Sequence, residues 1–474
     1  MPAEFLLGID AGTTYTKAAL VTPDGIERRH GRARTPWHPV PTGAEMHPSG
    51  FVDAALEAVH KALDSRAGAP LDGPIVAVGV TSMAETGVLL DRRGAPAAPC
   101  IAWHDTRGEA EADDLARVVG APEFTARTGL PPSRLCSAAK LRWLRANTTE
   151  SRRGVRWLNV AEWLVYSLGG DQVADPSLAS RTGMLDVGRG AWWDDVVRWT
   201  GAPPGLMPDL GEAGEAAGRV RRLLPEAEGA VLSIAGHDHL CAAVGAGATG
   251  PGDTFNSCGT AEAFVRPLRP PVEDDLVQKA VEGGVCVGCH VMPGWRALMG
   301  GFSAGATLQR FLSLLGAEEE RDRAALEAAA LGPAGDDTDL RVEGFGEGYM
   351  ALTGITGQPS PAAAWRAVTE AVVERGAGIL ATIEAAAGDT ERLVVGGGWS
   401  RSPVLRRLKA ARLGPFLDPQ VGEAGARGAA LIAGRAAGLY PTLTELPPVD
   451  YAEWVPEVHI SRPPPTRPDK VDPK

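Results

Sequence analysis

The stretch Gly8-Ile9-Asp10-Ala11-Gly12-Thr13-Thr14-Tyr15-Thr16-Lys17 starts inside one apolar run, Phe5–Ile9, and ends at the head of a second, Lys17–Val21. Between the runs lies a tight polar turn, which predicts a β-hairpin opening a mixed sheet. Asp10 falls at the end of the first strand, where a carboxylate can hold Mg²⁺ through water. Gly12 lets the backbone approach a phosphate, and Thr13 and Thr14 add hydroxyl and N–H donors. A similar strand–Gly-Thr–strand pattern recurs at Asn256-Ser257-Cys258-Gly259-Thr260. Two such turns facing each other across a cleft can wrap one polyphosphate with backbone N–H groups.

The chain around these turns has 474 residues, a length that alone suggests roughly three domains. Forty-four per cent of it is hydrophobic, with 59 Gly and 38 Pro, so a large, turn-rich core is expected rather than disorder. Lys and Arg number 47 against 59 Asp and Glu, a net charge of −12 that disfavours a nucleic-acid-binding face. Only seven of the basic residues are Lys. No apolar stretch approaches the ~20 residues of a membrane span. The first residues, Met-Pro-Ala-Glu-Phe, lack the pattern of a secretory signal, and six scattered cysteines read as reduced thiols, so a cytoplasmic protein is expected.

Short apolar strands alternate with amphipathic helices through the first half. Ile75–Thr81 reads as a strand, and Glu109–Val119, Ser137–Ala146 and Val160–Leu168 as helices. Trp143, Trp157 and Trp163 are expected as core anchors. A second strand-rich stretch starts near Val231. Trp365, Val368, Val372, Ile379, Leu380 and Ile383 recur at helical spacing. Leu393–Val395 then leads into Gly396-Gly397-Gly398 and a helix over Val404–Ala411, and Ala424–Ala437 reads as a small-residue helix. The natural boundary lies near Gly245–Gly252, and the proline-rich tail Arg462–Lys474 is expected to be disordered.

Three motif matches point elsewhere. Gly245–Gly250 fits G-x-G-x-x-G, the basis for a dinucleotide-dependent oxidoreductase, but a helical segment precedes it and Pro251 follows, which favours a turn. Cys286–His290 fits C-x-x-C-H without a second ligand pair. Gly301–Gly305 fits G-x-S-x-G, but the one later His is His459; Ser303 is expected to cap a helix.

The sequence Gly-Ile-Asp-x-Gly-Thr-Thr-x-x-Lys at residues 8–17 resembles the first phosphate motif of the FGGY carbohydrate kinases. Further blocks are similar in family order: 82–86, 99–107, 175–182, Ala235-Gly236-His237-Asp238-His239, 257–261, and Gly396–Pro403 with 423–434. Together they span almost residues 5–440. The resemblance implies an α/β, actin-like ATPase fold of two RNase H-like domains around a central cleft. The implied division is 1–247 for sugar and phosphate, 248–440 for ATP, and a partly disordered extension over 441–474. It also implies ATP-dependent phosphorylation of a small neutral sugar or polyol, such as a ketopentose; dimers are common among similar kinases, which makes a homodimer one expectation.

On that resemblance Asp238 is the general base; the alternative is an Asp capping a helix that begins at Leu240. Asp10 and Asp238 flank Mg²⁺. Gly12, Thr13, Thr14, Lys17, Gly259 and Thr260 meet the phosphates, and Gly397, Gly398 and Ser402 meet adenosine. Glu85, Thr86, Trp103, Asp105, His237 and His239 face the acceptor. Ala84 stands where glycerol kinases carry Arg, which removes a bidentate donor. The segment 341–350 also departs from the family loop. Trp399 either reshapes the adenine pocket or packs beside Leu405. The rivals are an actin-like sensor without transfer activity and the nicotinamide-dependent oxidoreductase.

Overall fold

Phe5–Ala11 (β1) and Tyr15–Val21 (β2) form the expected antiparallel hairpin, with Asp10 opposite Lys17. The computed structural model describes residues 4–64, 71–335, 339–344, 350–356 and 358–456. Glu27–Arg34 (β3) pairs antiparallel with β2, while Ile75–Ser82 (β4) and Val231–His237 (β5) run parallel to β1, giving the order β3-β2-β1-β4-β5. The unbroken apolar run in β1 follows from cover on both faces of this sheet. Helix Ser49–Leu63 (α1) lies on one face; at Gly31 of β3 a Cβ would collide with the Ala58 carbonyl.

The second half repeats the pattern. Asp253–Cys258 (β6) and Glu262–Leu268 (β7) form a hairpin, Cys286–Cys289 (β8) and Arg296–Phe302 (β9) follow, and Arg392–Gly396 (β10) and Phe416–Pro419 (β11) run parallel to β6. The core order β9-β7-β6-β10-β11 therefore reproduces β3-β2-β1-β4-β5, with β8 added at one edge and Tyr451–Trp454 (β12) at the other. A short sequence echo thus marks a full structural duplication. This is the actin-like ATPase fold of two RNase H-like domains.

The expected helices are present as Glu109–Leu115 (α2), Ser137–Asn147 (α3), Val160–Ser167 (α4), Asp238–Gly245 (α5), Ala304–Leu314 (α6), Pro361–Ala387 (α7), Pro403–Leu413 (α8) and Ala424–Ala436 (α9). Helix α2 ends early because residues 116–120 widen into a π turn. Trp157 and Trp163 are buried in the core, whereas Trp143 is half-buried beneath the Arg107 guanidinium. Residues 441–456 are not loose: β12 extends the second sheet, and Tyr451 donates to the Ala246 carbonyl at 2.9 Å. The tail beyond 456 and positions 345–349 of the altered loop lie outside the described residues.

Helices α5 and α9 join the halves. Although α9 comes late in the chain, it lies across the first sheet. A Cβ on Gly8 would fall onto the carbonyl of Ala426, one on Gly79 onto Ala429, and one on Gly428 onto Cys241 of α5. Small residues on α9 thus bring backbone against backbone, and Arg427 secures the crossing by donating to the Gly25 and Gly245 carbonyls. We expect Gly428→Ala to destabilise the protein by about 3 kcal/mol or more in urea denaturation, the upper range of overpacking. Gly378→Ala, on an exposed face of α7 with open space around it, is expected to stabilise by ~0.5–1 kcal/mol.

Candidate active site at the strand ends

Because β1, β4 and β5 are parallel, their C-terminal ends emerge together. Asp10 pairs in register with Thr81, and Ser82 with both Ala11 and His237. Asp10, the segment 83–86 and His237–Asp238 therefore meet at one sheet edge. Asp10 and Asp238 are carried two strands apart, about 10 Å at the usual strand spacing.

Asp10 presents a buried Oδ1 without a hydrogen-bond partner. Its Oδ2 faces Gly425 at the start of α9, where a Cβ would strike it. Burial raises the Asp10 pKa; Lys17 opposes the shift, and Asp238 and Glu423 add to it. Asp238 is likewise raised, first by burial and then, among neighbouring charges, by Glu85. It is the first residue of α5, not a cap before Leu240, and its Oδ1 accepts the His239 N–H at 2.7 Å. Lys17 forms an ion pair with Glu423 at 2.7 Å. Burial works against its charge, but Glu423 and Asp10 outweigh that and raise it above the usual lysine range.

The first phosphate turn is held by its carbonyls. Thr35 donates to Gly12 O at 2.8 Å and Trp37 Nε1 to Thr13 O at 2.9 Å. At Gly12 a Cβ would stand 2.8 Å from Tyr15 O, so the turn needs glycine. Thr14 Oγ1 lies 3.1 Å from Thr260 Oγ1, which brings the two Gly-Thr turns together across the cleft. Gly397, at φ +106°, sits with its Cα against the Cys258 backbone, so the adenosine motif abuts the second turn; Gly398 is exposed with open space beside it.

Glu85 and the two histidines expected to face the acceptor lie at or just past these strand ends. Glu85 adopts φ +58°, rare for a residue with a side chain, and its carboxylate receives Arg181 Nε and Nη2, each at 2.6 Å. Cys286 of β8, in the other domain, lies beside Arg181 and favours its charge. His237 is buried; its Nδ1 stands 3.5 Å from Asp238 Oδ1 without a hydrogen-bond partner, and burial keeps the ring neutral. The half-buried His239 ring lies 5.6 Å from it.

Four of the expected site residues are buried or bonded within the protein. Asp105 does not face the cleft: its buried carboxylate accepts from Thr42, Ala44 N and Arg107, closing its own loop. Thr86 is buried, with its Oγ1 lacking a hydrogen-bond partner. The Trp103 indole N–H is taken by Thr13 Oγ1 at 2.9 Å, so Trp103 braces the phosphate turn. Ser402 caps α8 through Leu405 N and donates to buried Glu327. Trp399 packs against Trp365 with Arg323 over its ring at 4.5 Å, which fits the packing alternative rather than a free stacking face. Helix α5 ends within Gly245–Gly250 and a strand follows, so the dinucleotide context is missing. Cys286–Cys289 is simply β8, and Ser303 makes no side-chain cap bond.

A family model described as "FGGY family of carbohydrate kinases, N-terminal domain" matches residues 5–245, and its C-terminal counterpart matches 255–437. A glycerol kinase of Dechloromonas aromatica is 31% identical, with 94% of this chain and 91% of that one aligned. A glycerol kinase of Bordetella parapertussis is 30% identical over 93% and 90%. The solved xylulose kinase of Rhodospirillum rubrum superposes with a TM-score of 0.80 at 26% identity, covering 96% of this chain and 94% of that one.

Sequence reading passed over the support beneath the second turn. Lys409 on α8 donates to Asn256 Oδ1 at 2.6 Å and to Glu262, while Asn256 Nδ2 donates to the same Glu262 oxygen at 3.1 Å. Both charges are almost fully buried. The clue was composition: in a chain with 40 Arg, a Lys marks a place where a compact ammonium fits. We expect Lys409→Met to cost about 3–5 kcal/mol in urea denaturation by leaving Glu262 unpaired, and Lys409→Met with Glu262→Leu to recover most of it. A double variant no more stable than Lys409→Met would contradict this account.

Proposed function

The chain belongs to the FGGY family of carbohydrate kinases, and on that footing we propose that it moves the γ-phosphoryl group of ATP to a hydroxyl of a small neutral sugar or polyol, with Asp238 as the base. The observation that carries this reading is the convergence of Asp10 and Asp238 beside the Thr14–Thr260 junction. The partnerless Asp10 Oδ1 suits a hard divalent cation, because Mg²⁺ takes one or two carboxylates and completes its shell with water and phosphate. Among the described residues no group of three or more His, Cys, Asp or Glu side chains forms a self-sufficient metal site. Asp10, with Asp238 on its far side, would hold Mg²⁺, which when bound neutralises charge on the phosphate oxygens.

The residues of this chain then do the rest. Gly12, Thr13 and Thr14 from one side and Gly259 and Thr260 from the other fix the phosphates. Lys17 adds positive charge beside Asp10. Gly397 and Gly398 leave room for adenosine. Glu85, oriented by Arg181, accepts hydroxyl hydrogen bonds of the acceptor, with His237 and His239 beside it. The reacting hydroxyl loses its proton to Asp238 as its oxygen bonds to phosphorus, while the bond from phosphorus to the ADP oxygen breaks. Contacts across the cleft, such as Val287 N to Gly129 O at 2.9 Å, close the lobes and keep water from the phosphate.

The acceptor is the finer point. Arg181 brings to Glu85, from another element, the guanidinium that Ala84 lacks, which supports a polyol or ketopentose hydrogen-bonded through paired hydroxyls. A panel of glycerol, ketopentoses and other polyols with Mg²⁺ and ATP, read by ADP release, tests this; tight sugar binding with no turnover on any of them would favour the sensor. Asp238→Asn is expected to lower kcat by about 10²–10⁴-fold while ATP binding persists, and near-unchanged turnover would remove Asp238 from the mechanism.

A further inference from the structure

We propose that Thr81 and Ser177 are positioning residues for phosphoryl transfer, two hydroxyls that grip a single peptide group, Gly236–His237, and thereby aim Asp238 into the cleft. This rests on the reading of Asp238 as the base. Strands β4 and β5 pair regularly from Val231–Ala77 to Ile234–Val80, and then the register slips: Gly236, not Ala235, stands opposite Thr81. Ala235 is the extra residue of a β-bulge. Side chains alternate along a strand, so one inserted residue reverses which face every later side chain takes. Without the bulge, position 238 would turn to the opposite face.

Pairing resumes at Gly236–Thr81 and His237–Ser82, and the peptide just past the bulge is held by two further bonds from side chains. The carbonyl of Gly236 accepts the Thr81 hydroxyl at 2.6 Å. The N–H of the same peptide, on His237, donates to Ser177 Oγ at 2.9 Å. Ser177 is itself oriented, because its hydroxyl proton goes to Asp175 Oδ1, which also accepts Ser177 N at 2.8 Å and Leu178 N at 3.1 Å. That leaves the serine lone pair for His237. Both hydroxyls are wholly buried. Gly236 has φ +89°, and a Cβ there would meet Val291 Cγ1 at 2.7 Å and Asp175 Oδ1 at 2.8 Å, so the backbone has nowhere to relax.

Strand pairing alone requires neither hydroxyl, since Gly236 and His237 are already in register with Thr81 and Ser82. What the bulge adds is the direction of the next residues. Thr81 also stands opposite Asp10 in the register with β1, so one threonine borders both carboxylate-bearing strands.

Steady-state kinetics on Thr81→Val, Thr81→Ser and Ser177→Ala, with melting temperatures recorded alongside, test the proposal. We expect Thr81→Val and Ser177→Ala to lower kcat by about 10–100-fold with the KM for ATP changed less than about twofold, as a misplaced catalytic group does. Thr81→Ser, which keeps the hydroxyl, should return kcat to within about threefold of the parent. Unchanged kcat in Thr81→Val and Ser177→Ala would overturn it. So would equal losses in Thr81→Val and Thr81→Ser that simply follow the melting temperature. If Thr81→Val does not fold, Ser177→Ala carries the same test at the other end of the peptide. An Asp238→Asn variant that turns over normally would defeat the base assignment itself; an inactive Asp238→Asn beside a fully active Ser177→Ala would defeat only the positioning role.

Discussion

Two carboxylates, Asp10 and Asp238, are held at the ends of parallel strands in a buried place where the nearby ammonium, Lys17, is already paired with Glu423. Burial and neighbouring carboxylates disfavour their charged forms, so the site is poised for added positive charge. Everything around it serves to keep the two groups there. The strand order sets their spacing, the bulge in β5 is proposed to aim Asp238 into the cleft, and α9 meets the sheet so closely that Gly425 can come up against Asp10.

The duplicated topology explains how one cleft gathers unlike parts. Each half offers a hairpin with a Gly-Thr turn from the same place in the same sheet, and the two turns meet at Thr14 and Thr260. The halves then diverge. The first sheet carries Asp10, Asp238 and Glu85 at or just past its strand ends; the second braces its turn from below through Lys409 and Glu262, and its own strand-end Asp418 is paired with Arg406. Strand β8 reaches across, with Cys289 N on Ser180 Oγ, so the segment that follows Asp175 in one domain is in direct contact with the edge of the other.

Local features were legible in the sequence. The hairpins, the glycines that permit tight turns and the periodic helix α7 follow from near-neighbour chemistry, and the family blocks located the cleft. What escaped depended on distant partners. Asp105 and Trp103 carry side chains suited to sugar, but Thr42, 63 residues away, and Thr13, 90 residues away, engage them. Arg181 lay within a quoted block, yet its role follows only from Glu85, 96 residues earlier in the chain. Ser402 has the composition of a nucleotide ligand and the geometry of a helix cap. The bulge at Ala235 leaves no mark beyond a glycine, because register is a property of two strands.

On the proposed reading these parts share one task, to set a hydroxyl oxygen between Asp238 and the terminal phosphate. The most direct measurement is a crystal structure with Mg²⁺, a non-hydrolysable ATP analogue and an acceptor that the enzyme phosphorylates. The account predicts the reacting hydroxyl at about 3 Å from an Asp238 carboxylate oxygen, on the side facing the phosphate. A reacting hydroxyl bonded instead to His239 or Glu85, with Asp238 out of reach, would contradict it.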